Sequence, residues 1–419
     1  MSDKIKVLTL SDHPLSPSGV GTQTKYVIEA LLRTGKFQIV SIGGAVKHND
    51  YNPVKTEEWK DDWTIYPVDG YGNQDTIRSI MRTERPDILW FMTDPRFWGW
   101  LWDMEDEVRC HMPMVYYHVW DNYPYPDFNR YAYSSNDHIA CISKVTYDIV
   151  QNVAPNVEST YVPHAVDSSV FKKLPDADVK KFREEFMPQA EGKKIYFWNN
   201  RNARRKQSGT LLFWWKDFLD KVGHDKAALM MHTDPKDPYG QDLEAIVKKL
   251  QLDQGQVIFS TNKLPAQHLS MLYNVAHCTV NLSDAEGFGL ATLESLSCET
   301  PIVVTMTGGL QEQVTDGEEW FGYGLEPSSK AVIGSQDIPY IYEDRLNKDD
   351  FVKAMVKMQK LSKKAHVEMG KKGRAHTMKN YNFDDFGQRW VDLMTGVHEK
   401  FGSWKNRKNY KTWTIKEVA

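Results

Sequence analysis

Short apolar runs alternate with longer, helix-length segments along most of this 419-residue chain. Continuous apolar runs are typical of parallel strands that are buried on both faces, and the segments between them are long enough for covering helices. The pattern therefore predicts doubly wound parallel sheets of the α/β class. The predicted strands are residues 6–10, 37–42, 87–91, 114–119, 138–143, 160–163, 194–198, 228–232, 257–260, 278–282 and 301–306.

A polar, charged stretch at 167–191 separates these strands into two series. Because each series is long enough to form its own sheet, we expect two Rossmann-like domains, over residues 1–170 and 171–385. Residues 386–419 follow the second series as a third segment. The sequence predicts a helix at 386–401 and, after it, a tail that mixes basic and aromatic residues.

The overall composition is that of an ordinary globular protein, with 41% hydrophobic and 26% charged residues. The net charge of −4 gives no general attraction to nucleic acid or to an anionic membrane. The four cysteines are scattered, which favours neither a disulfide framework nor a zinc site. No signal peptide or apolar run long enough to span a bilayer is visible, so we expect a cytoplasmic protein without a transmembrane segment.

Two glutamates, Glu286 and Glu294, stand between the predicted strands 278–282 and 301–306. Glycines interrupt regular structure after Glu286, and a helix is predicted from about residue 290 to 298. Glu286 is therefore expected on a loop at the carboxyl end of a strand, and Glu294 in the following helix. Ligands of open α/β sheets bind at that edge, where a helix N-terminus also attracts anions. One carboxylate could face sugar hydroxyls and the other a ribose, with a diphosphate between them.

The spacing of these acids, together with Gly-Phe-Gly-Leu at 287–290, Thr-Pro-Ile-Val-Val at 300–304 and Gly-Gly-Leu-Gln-Glu at 308–312, resembles the retaining glycosyltransferases of family 4. The resemblance implies the GT-B fold, in which two Rossmann-like domains face each other across a cleft and a C-terminal helix crosses back to the first domain. It also implies a nucleotide-sugar donor, a UDP- or GDP-sugar, and no requirement for a metal or another cofactor.

The same resemblance assigns roles to residues of the second domain. Arg201 and Lys206 match a family pair that holds the donor diphosphate, although the neighbouring Arg204 and Arg205 leave open which arginine acts. Glu286 would orient the donor sugar, and Glu294 would bind the ribose. The expected donor-binding residues are Gly19, Gly21, Arg201, Arg205, Lys206, Phe288, Gly289, Leu290 and Glu294, and the expected catalytic residues are Glu286, His118, Arg201 and Lys206.

Three features of the first domain complete the expected site. Gly19 and Gly21 follow the first strand, where a glycine-rich loop of the family faces the donor phosphate, with a helix predicted after them at 25–33. His118 ends a strand and matches a family histidine near the donor sugar. The first domain of GT-B enzymes recognises the acceptor, and the aromatic-rich segment 95–133 suggests stacking on it by Trp98, Trp120 and Tyr123.

The function implied is transfer of a sugar, with retention of configuration, to a hydroxyl of a saccharide, a glycan or a small molecule. The basic aromatic tail leaves open a second acceptor, a hydroxymethylated pyrimidine in DNA, although the same tail suits a closing segment packed by its aromatic rings. A glycoside hydrolase would also use two carboxylates but would have no diphosphate to bind with Arg201 and Lys206. A third alternative is a non-catalytic module that binds a glycan or a sugar nucleotide.

Overall fold

The computed structural model describes residues 4–412 and divides the chain into two compact units. Unit 1 contains residues 4–164, 334–340 and 384–412, and unit 2 contains residues 165–333 and 341–383. The boundaries expected from the sequence were 170 and 385. Each unit has its own parallel sheet and its own apolar core.

Unit 1 is built on a sheet whose strands follow the order β3-β4-β2-β1-β5-β6-β7-β8. Neighbouring strands are parallel except β3, which runs antiparallel to β4 at the edge. The central strand β1 pairs with β2 through Val7 and Ile39 and with β5 through Val7 and Ile88. The strands are β1 Ile5–Asp12, β2 Phe37–Gly44, β3 Val54–Lys55, β4 Trp63–Pro67, β5 Ile88–Thr93, β6 Met114–His118, β7 His138–Cys141 and β8 Glu158–Tyr161.

Helices connect these strands and bury their apolar faces against the sheet. In α1 the buried residues Val27, Ile28, Leu31 and Leu32 recur at helical spacing, which explains why this segment folds as a covering helix. The helices of this part of the chain are α1 Gly19–Leu32, α2 Gln74–Glu84, α3 Gly99–Trp102, α4 Glu105–Arg109, α5 Arg130–Ser134 and α6 Lys144–Val153.

Unit 2 has a fully parallel sheet in the order β11-β10-β9-β12-β13-β14. Counted within the unit, this is the order 3-2-1-4-5-6 of a Rossmann sheet, and the direction of winding reverses between β9 and β12. A separate antiparallel hairpin, β15 and β16, follows. The strands are β9 Lys194–Asn199, β10 Ala227–His232, β11 Val257–Ser260, β12 Cys278–Asn281, β13 Ile302–Thr305, β14 Gly322–Leu325, β15 Ser329–Ile333 and β16 Ile341–Arg345.

The core of unit 2 lies between this sheet and its helices. Tyr196 and Trp198 of β9 pack against Trp215 and Phe218 of the long helix that follows β9, and all four side chains are fully buried. The helices are α7 Asp176–Phe186, α8 Ser208–Val222, α9 Leu243–Lys249, α10 Ala266–Val275, α11 Leu290–Ser297, α12 Leu310–Val314, α13 Lys348–Lys360 and α14 Lys363–Asn380.

The last helix, α15 (Phe383–Phe401), returns the chain to unit 1. Its buried residues include Phe386, Trp390 and Met394, which are four residues apart and form one apolar face. Trp390 meets Trp90 of β5 and Tyr117 of β6 edge to face, with ring centroids 5.9 and 4.8 Å apart. The predicted C-terminal helix that crosses back to the first domain is therefore confirmed.

The tail after α15 packs against unit 1 as far as the structure describes it. Trp404 stacks on His111 and donates its indole N–H to the carbonyl oxygen of Pro86 at 2.9 Å. The buried Arg407 pairs with Asp137 at 2.8 Å. The described part of the tail is thus a closing segment, while Trp413 and Lys416 lie outside the described residues.

All the predicted strands are present, with ends that differ by one or a few residues. The helix predicted at 25–33 begins earlier, at Gly19, because the Ser18 hydroxyl caps its first turn by accepting from the Gly21 N–H. The sequence prediction missed the edge strand β3, its neighbour β4, the strand β14 and the hairpin. Strand β3 has only two residues, β14 contains two glycines, the hairpin carries charged residues, and β4 buries only alternate residues, so none of these segments is a continuous buried apolar run.

Candidate functional site

Two loops meet at the carboxyl edge of the sheet in unit 2, where the winding reverses between β9 and β12. One loop follows β9 and carries Arg201 to Lys206, and the other follows β12 and carries Glu286. The Asp284 N–H donates to the Arg205 carbonyl oxygen at 2.8 Å, so backbone holds the loops together. Ligand sites of open α/β sheets lie at this position. The expected basic and acidic residues are therefore neighbours in space.

Lys206 and Glu286 form a buried ion pair between these loops. The carboxylate oxygen Oε2 of Glu286 also accepts from Asn281 Nδ2 at 3.3 Å and from Ser283 Oγ at 3.4 Å. Burial alone would raise the pKa of Glu286, but the positive charges of Lys206 and Arg205 outweigh it and lower that pKa to about 2. Glu286 is therefore a fixed, ionised acceptor at neutral pH.

The three arginines of the first loop have different partners. Arg204 makes a two-point contact with the buried carboxylate of Glu343 on β16. The Nη1 atom of Arg205 donates to the Ala285 carbonyl oxygen at 2.6 Å. Arg201 pairs with Asp237 at 2.7 Å and lies over the ring of Tyr239, while 61% of its side chain stays exposed. Arg204 is about as exposed as Arg201, but its partner Glu343 is 3% exposed against 11% for Asp237, so Arg201 is the easier of these two arginines to release.

Glu294 lies on α11, next to the loop that carries Glu286. Its Oε2 atom accepts a 2.7 Å hydrogen bond from the Tyr273 hydroxyl, which in turn accepts from Asn199 Nδ2 at 2.9 Å. Burial raises the pKa of Glu294 to about 7, although the bond from Tyr273 opposes that rise. The two acids consequently differ, since Glu286 is ionised throughout the neutral range and Glu294 titrates within it.

Glycines shape the loop between the two acids. Gly289 has a φ of 91°, a left-handed conformation that favours glycine, and it precedes the first residue of α11. A Cβ on Gly309 would lie 2.6 Å from Phe288 Cα, so the turn at Gly308 and Gly309 packs directly against this loop. No side chain caps the N-terminus of α11 at Gly289. Its first N–H groups, from Leu290 onward, remain suited to an anionic ligand.

The buried amide of Gln313 supports the same loop. Its Nε2 atom donates to the Phe288 carbonyl oxygen at 2.7 Å, and its Oε1 atom accepts from Thr292 Oγ1 at 2.7 Å. The Phe288 side chain is itself buried and meets the ring of Tyr381 edge to face. A contact of Phe288 with a donor would therefore involve its backbone rather than its ring.

The expected site residues of unit 1 are placed differently. Gly19 and Gly21 lie in the first turn of α1, and a Cβ on Gly21 would come within 2.7 Å of Ser16 Oγ and of the His13 carbonyl oxygen. This close approach explains the need for glycine at 21 without a ligand. His118 is fully buried, and its Nε2 atom lies 2.8 Å from the Tyr133 hydroxyl. Burial lowers the pKa of His118 to about 3, so this side chain is neutral.

The aromatic residues expected to stack on an acceptor need correction. Trp98 is fully buried and packs edge to face on Phe91, and Trp120 is 4% exposed with its indole N–H donated to the Asn122 carbonyl oxygen. Both belong to the core of unit 1, because that core extends into the loops after β5 and β6. Tyr123 is partly buried and donates its hydroxyl hydrogen to Asp148 at 2.7 Å.

Sequence reasoning missed the residues that hold the acids in place. Asn281 and Ser283 adjoin Glu286 in the chain, so their proximity was visible, but their hydrogen bonds depend on how the loop turns. Tyr273 and Asn199 come from α10 and β9, far from Glu294 in sequence. No spacing pattern links these three residues, and the structure alone brings them together.

Part of the chain resembles a family of known proteins. Residues 236–375, which include both acids and the turn at Gly308 and Gly309, match the family model described as glycosyl transferases group 1. The resemblance to glycosyltransferases predicted from the sequence is confirmed, and the solved structures described below confirm the GT-B class.

Curated relatives of the chain align with only part of its length. Alpha-monoglucosyldiacylglycerol synthase of Streptococcus pneumoniae is 25% identical over 47% of this chain and 44% of the relative. N-acetyl-alpha-D-glucosaminyl L-malate synthase of Bacillus anthracis is 24% identical over 52% of this chain and 54% of the relative. The chain thus aligns with about half the length of these curated relatives.

Solved structures resemble the chain over nearly its whole length. Sucrose-phosphate synthase of Thermosynechococcus elongatus has a TM-score of 0.74 and 14% identity, covering 95% of this chain and all of that one. HepE of Anabaena, solved in complex with UDP and glucose, has a TM-score of 0.67 and 12% identity, covering 94% of this chain and all of that one. At these identities the likeness concerns the fold.

Two further observations bear on cofactors and membranes. Within residues 4–412, the His, Cys, Asp and Glu side chains form no group of three or more that could hold a metal ion. Across the same part of the chain, no helix combines the length and the apolar composition that crossing a bilayer requires.

Proposed function

We propose that this chain transfers a sugar from a nucleoside-diphosphate sugar to an acceptor hydroxyl, with retention of configuration and without a metal ion. The observation that carries the proposal is the buried Lys206–Glu286 ion pair at the carboxyl edge of the unit 2 sheet. It adjoins the uncapped N-terminus of α11. This arrangement offers a cation and free N–H groups to a diphosphate, and a fixed carboxylate to sugar hydroxyls.

The diphosphate is the part of the donor that gains charge as the glycosidic bond breaks. Lys206 and the N-terminal turn of α11 would stabilise that charge, because fixed cations and N–H groups act most strongly where charge develops. Arg201 is the third proposed contact. It can leave its exposed pair with Asp237 at little cost, whereas Arg204 is tied to Glu343 and Arg205 to the Ala285 carbonyl oxygen.

The two glutamates receive separate roles in this proposal. Glu286 stays ionised and accepts hydrogen bonds from hydroxyls of the donor sugar, which it orients without acting as a nucleophile. Glu294 binds hydroxyls of the ribose. The acceptor oxygen attacks the anomeric carbon on the face from which the diphosphate leaves. One carbon–oxygen bond forms, the bond to the phosphate breaks, and the departing phosphate takes the acceptor proton.

The donor nucleotide that we propose to test first is uridine diphosphate. HepE of Anabaena was solved with UDP and glucose, and an E. coli protein that also shares the fold was solved with UDP-2-fluoro glucose. A GDP-sugar remains the second donor class. For the acceptor we propose a hydroxyl of a saccharide, a glycan or a small molecule.

The alternative acceptor, a modified pyrimidine in DNA, was suggested by the basic aromatic tail. The described part of the basic tail is engaged with unit 1 through Trp404 and Arg407. These side chains do not form an exposed basic surface of the kind that binds phosphate backbones.

A thermal-shift screen of nucleotide sugars on the full chain tests donor binding directly. A ligand that binds the folded state raises the melting temperature by mass action. We expect UDP-sugars or GDP-sugars to raise it, and Lys206→Gln to abolish that rise. A chain that responds to no nucleotide sugar would contradict the proposed donor site.

Transfer itself is tested by the release of nucleoside diphosphate in the presence of an acceptor mixture. Glu286→Gln keeps the shape of the side chain but removes its charge, and we expect a loss on the order of 100-fold or more in turnover. Activity should survive EDTA, and the anomeric proton of the product should retain the donor configuration by NMR. Donor binding without turnover would favour the non-catalytic module instead.

A further inference from the structure

A second basic cavity lies at the amino edge of the unit 2 sheet, away from the edge that carries Glu286. Lys194 begins β9 and His277 immediately precedes β12, so both line the starts of parallel strands. The cavity has a volume of about 250 Å³. Its cationic and titratable lining is formed by Lys173, Arg183, Lys194, His277, Glu299 and His366.

The cations of this cavity are turned toward backbone carbonyls rather than carboxylates. Lys194 Nζ donates to the Gln359 carbonyl oxygen at 2.7 Å and lies 3.4 Å from His277 Nε2. Arg183 Nη2 donates to the Ala190 carbonyl oxygen at 2.7 Å. Neither cation has an ion-pair partner among residues 4–412. Both side chains therefore retain donors that carry positive charge without a compensating anion.

Two imidazoles stack beside these cations. The rings of His277 and His366 lie 4.1 Å apart and within 9° of parallel. The His366 Nε2 atom is 2.6 Å from the His277 carbonyl oxygen, which fixes that nitrogen as a donor. The two imidazole rings and the ammonium group of Lys194 therefore lie close together in the cavity.

Burial makes this arrangement costly for positive charge. It lowers the pKa of Lys194 and of Arg183, and burial together with the neighbouring His366 lowers the pKa of His277 to about 3. The one acidic side chain among the described lining residues is Glu299, whereas Lys173 pairs outside the cavity with the exposed Asp176 at 3.5 Å. An anion placed here would gain charge-assisted hydrogen bonds from the lysine and arginine side chains.

We propose that this cavity binds a phosphate group of a small soluble compound, at a site separate from the donor site. The enclosed space exceeds the roughly 30 Å³ that one water occupies in the liquid, so it can hold an anion of several atoms. Lysine, arginine and histidine are the side chains that donate to phosphate oxygens. The inference does not rest on the proposed transferase activity.

A purely structural role would explain only part of the cluster. Lys194 contacts the last turn of α13 through Gln359, and a cation there stabilises the C-terminus of a helix. His277 joins Lys194 there, since its Nε2 atom lies 3.1 Å from the Met358 carbonyl oxygen of the same helix. Lys173 and Arg183 come from the segment before β9 and line the cavity through their own side chains. Their convergence on the same cavity is what favours a bound anion.

Calorimetric titration of inorganic phosphate into the full chain, with and without saturating UDP, tests the inference. We expect binding that UDP does not displace. Lys194→Gln should weaken it about tenfold or more, as expected for a lost charge-assisted hydrogen bond. Lys173→Gln should weaken it several-fold without affecting the fold, because this side chain is largely exposed. The matched control is Lys181→Gln, an exposed lysine on α7 outside the cavity.

Several outcomes would overturn the inference. Phosphate that UDP displaces, or that Lys206→Gln releases, would be bound in the donor site. Equal affinity in the wild type, Lys173→Gln and Lys194→Gln would show that the cavity is not used. In a parallel arm, vesicles of phosphatidic acid in phosphatidylcholine replace free phosphate. Binding to these vesicles with no binding of free phosphate would identify a lipid headgroup and contradict a soluble ligand.

Discussion

The Tyr273 hydroxyl donates a 2.7 Å hydrogen bond to Oε2 of Glu294, and Asn199 donates to the same phenol oxygen. The three residues belong to α10, α11 and the end of β9, so the chain joins three elements of unit 2 at one carboxylate. The Tyr273 ring is fixed in turn by an edge-to-face contact with Phe197 at 5.0 Å. Glu294 is thereby held in one orientation at the proposed donor site.

The first prediction concerns stability and pH. Burial raises the pKa of Glu294 from 4.5 to about 7, so the folded state holds this proton more tightly than the unfolded chain. The carboxyl group therefore destabilises the fold increasingly as pH rises from about 4.5 to about 7, by about 3 kcal/mol in total. The melting temperature of Glu294→Gln minus that of the wild type should therefore increase as pH rises from 5 to 8. The exposed Glu326→Gln is the control and should show no such gain.

A second prediction separates the positioning role of Tyr273 from simple packing. Tyr273→Phe keeps the buried ring but removes the donor that lowers the pKa of Glu294. The pH at which UDP affinity is half-maximal should rise by about one to two pH units, since a hydrogen bond to a charged group is worth roughly 1.5–3 kcal/mol. The measurement is UDP affinity from pH 6 to 9, compared with Glu294→Gln, which should lack this transition. A uniform loss of affinity at every pH would mean that Tyr273 only packs.

Much of the fold could be predicted from the sequence because buried parallel strands leave continuous apolar runs. The strands β9, β12 and β13 were visible for this reason, as was the helix that contains Glu294. The hairpin of β15 and β16 was not visible, because its strands are short, are mostly half-buried or exposed and carry charged residues. Such a two-stranded ribbon has no continuous apolar pattern that distinguishes it from a loop.

Part of the candidate site was predictable from the positions of charged residues directly after predicted strands. Lys206 and Glu286 each follow a strand of the same sheet, and parallel strands bring such positions to one edge. The burial of Trp98 and Trp120 was not predictable, because polar neighbours in sequence suggested an exposed loop. In the structure the aromatic rings of this segment pack on one another, while Arg96 and Asp103 stay exposed and Asn122 is buried.

This burial gives the third prediction. Trp98→Ala and Trp120→Ala should lower the stability of the protein by about 3–5 kcal/mol each, as large-to-small changes in a packed core do. Tyr123→Phe removes one hydrogen bond from a half-buried ring and should cost about 1 kcal/mol. Thermal melting measures all three changes. A tryptophan variant that melts like the wild type yet raises the KM of the acceptor would restore the stacking role.

The last prediction distinguishes the arginines of the loop after β9. Arg201 has an exposed side chain whose pair with Asp237 contributes little stability, so Arg201→Ala should leave the melting temperature nearly unchanged. If Arg201 contacts the departing diphosphate, the same change should lower turnover on the order of 100-fold.

Arg204→Ala should have the opposite effect, lowering stability more than turnover. It removes the two-point contact with Glu343, which is 3% exposed, and should cost about 1–2 kcal/mol of stability because Arg345 still pairs with that carboxylate at 2.8 Å. Its effect on turnover should be small.

Melting curves and single-turnover rates decide between these roles when they are measured side by side for Arg201→Ala, Arg204→Ala and Arg205→Ala. A silent Arg201→Ala together with a damaging Arg205→Ala would move the diphosphate contact to Arg205, which already lies close enough to Glu286 to help keep that carboxylate ionised.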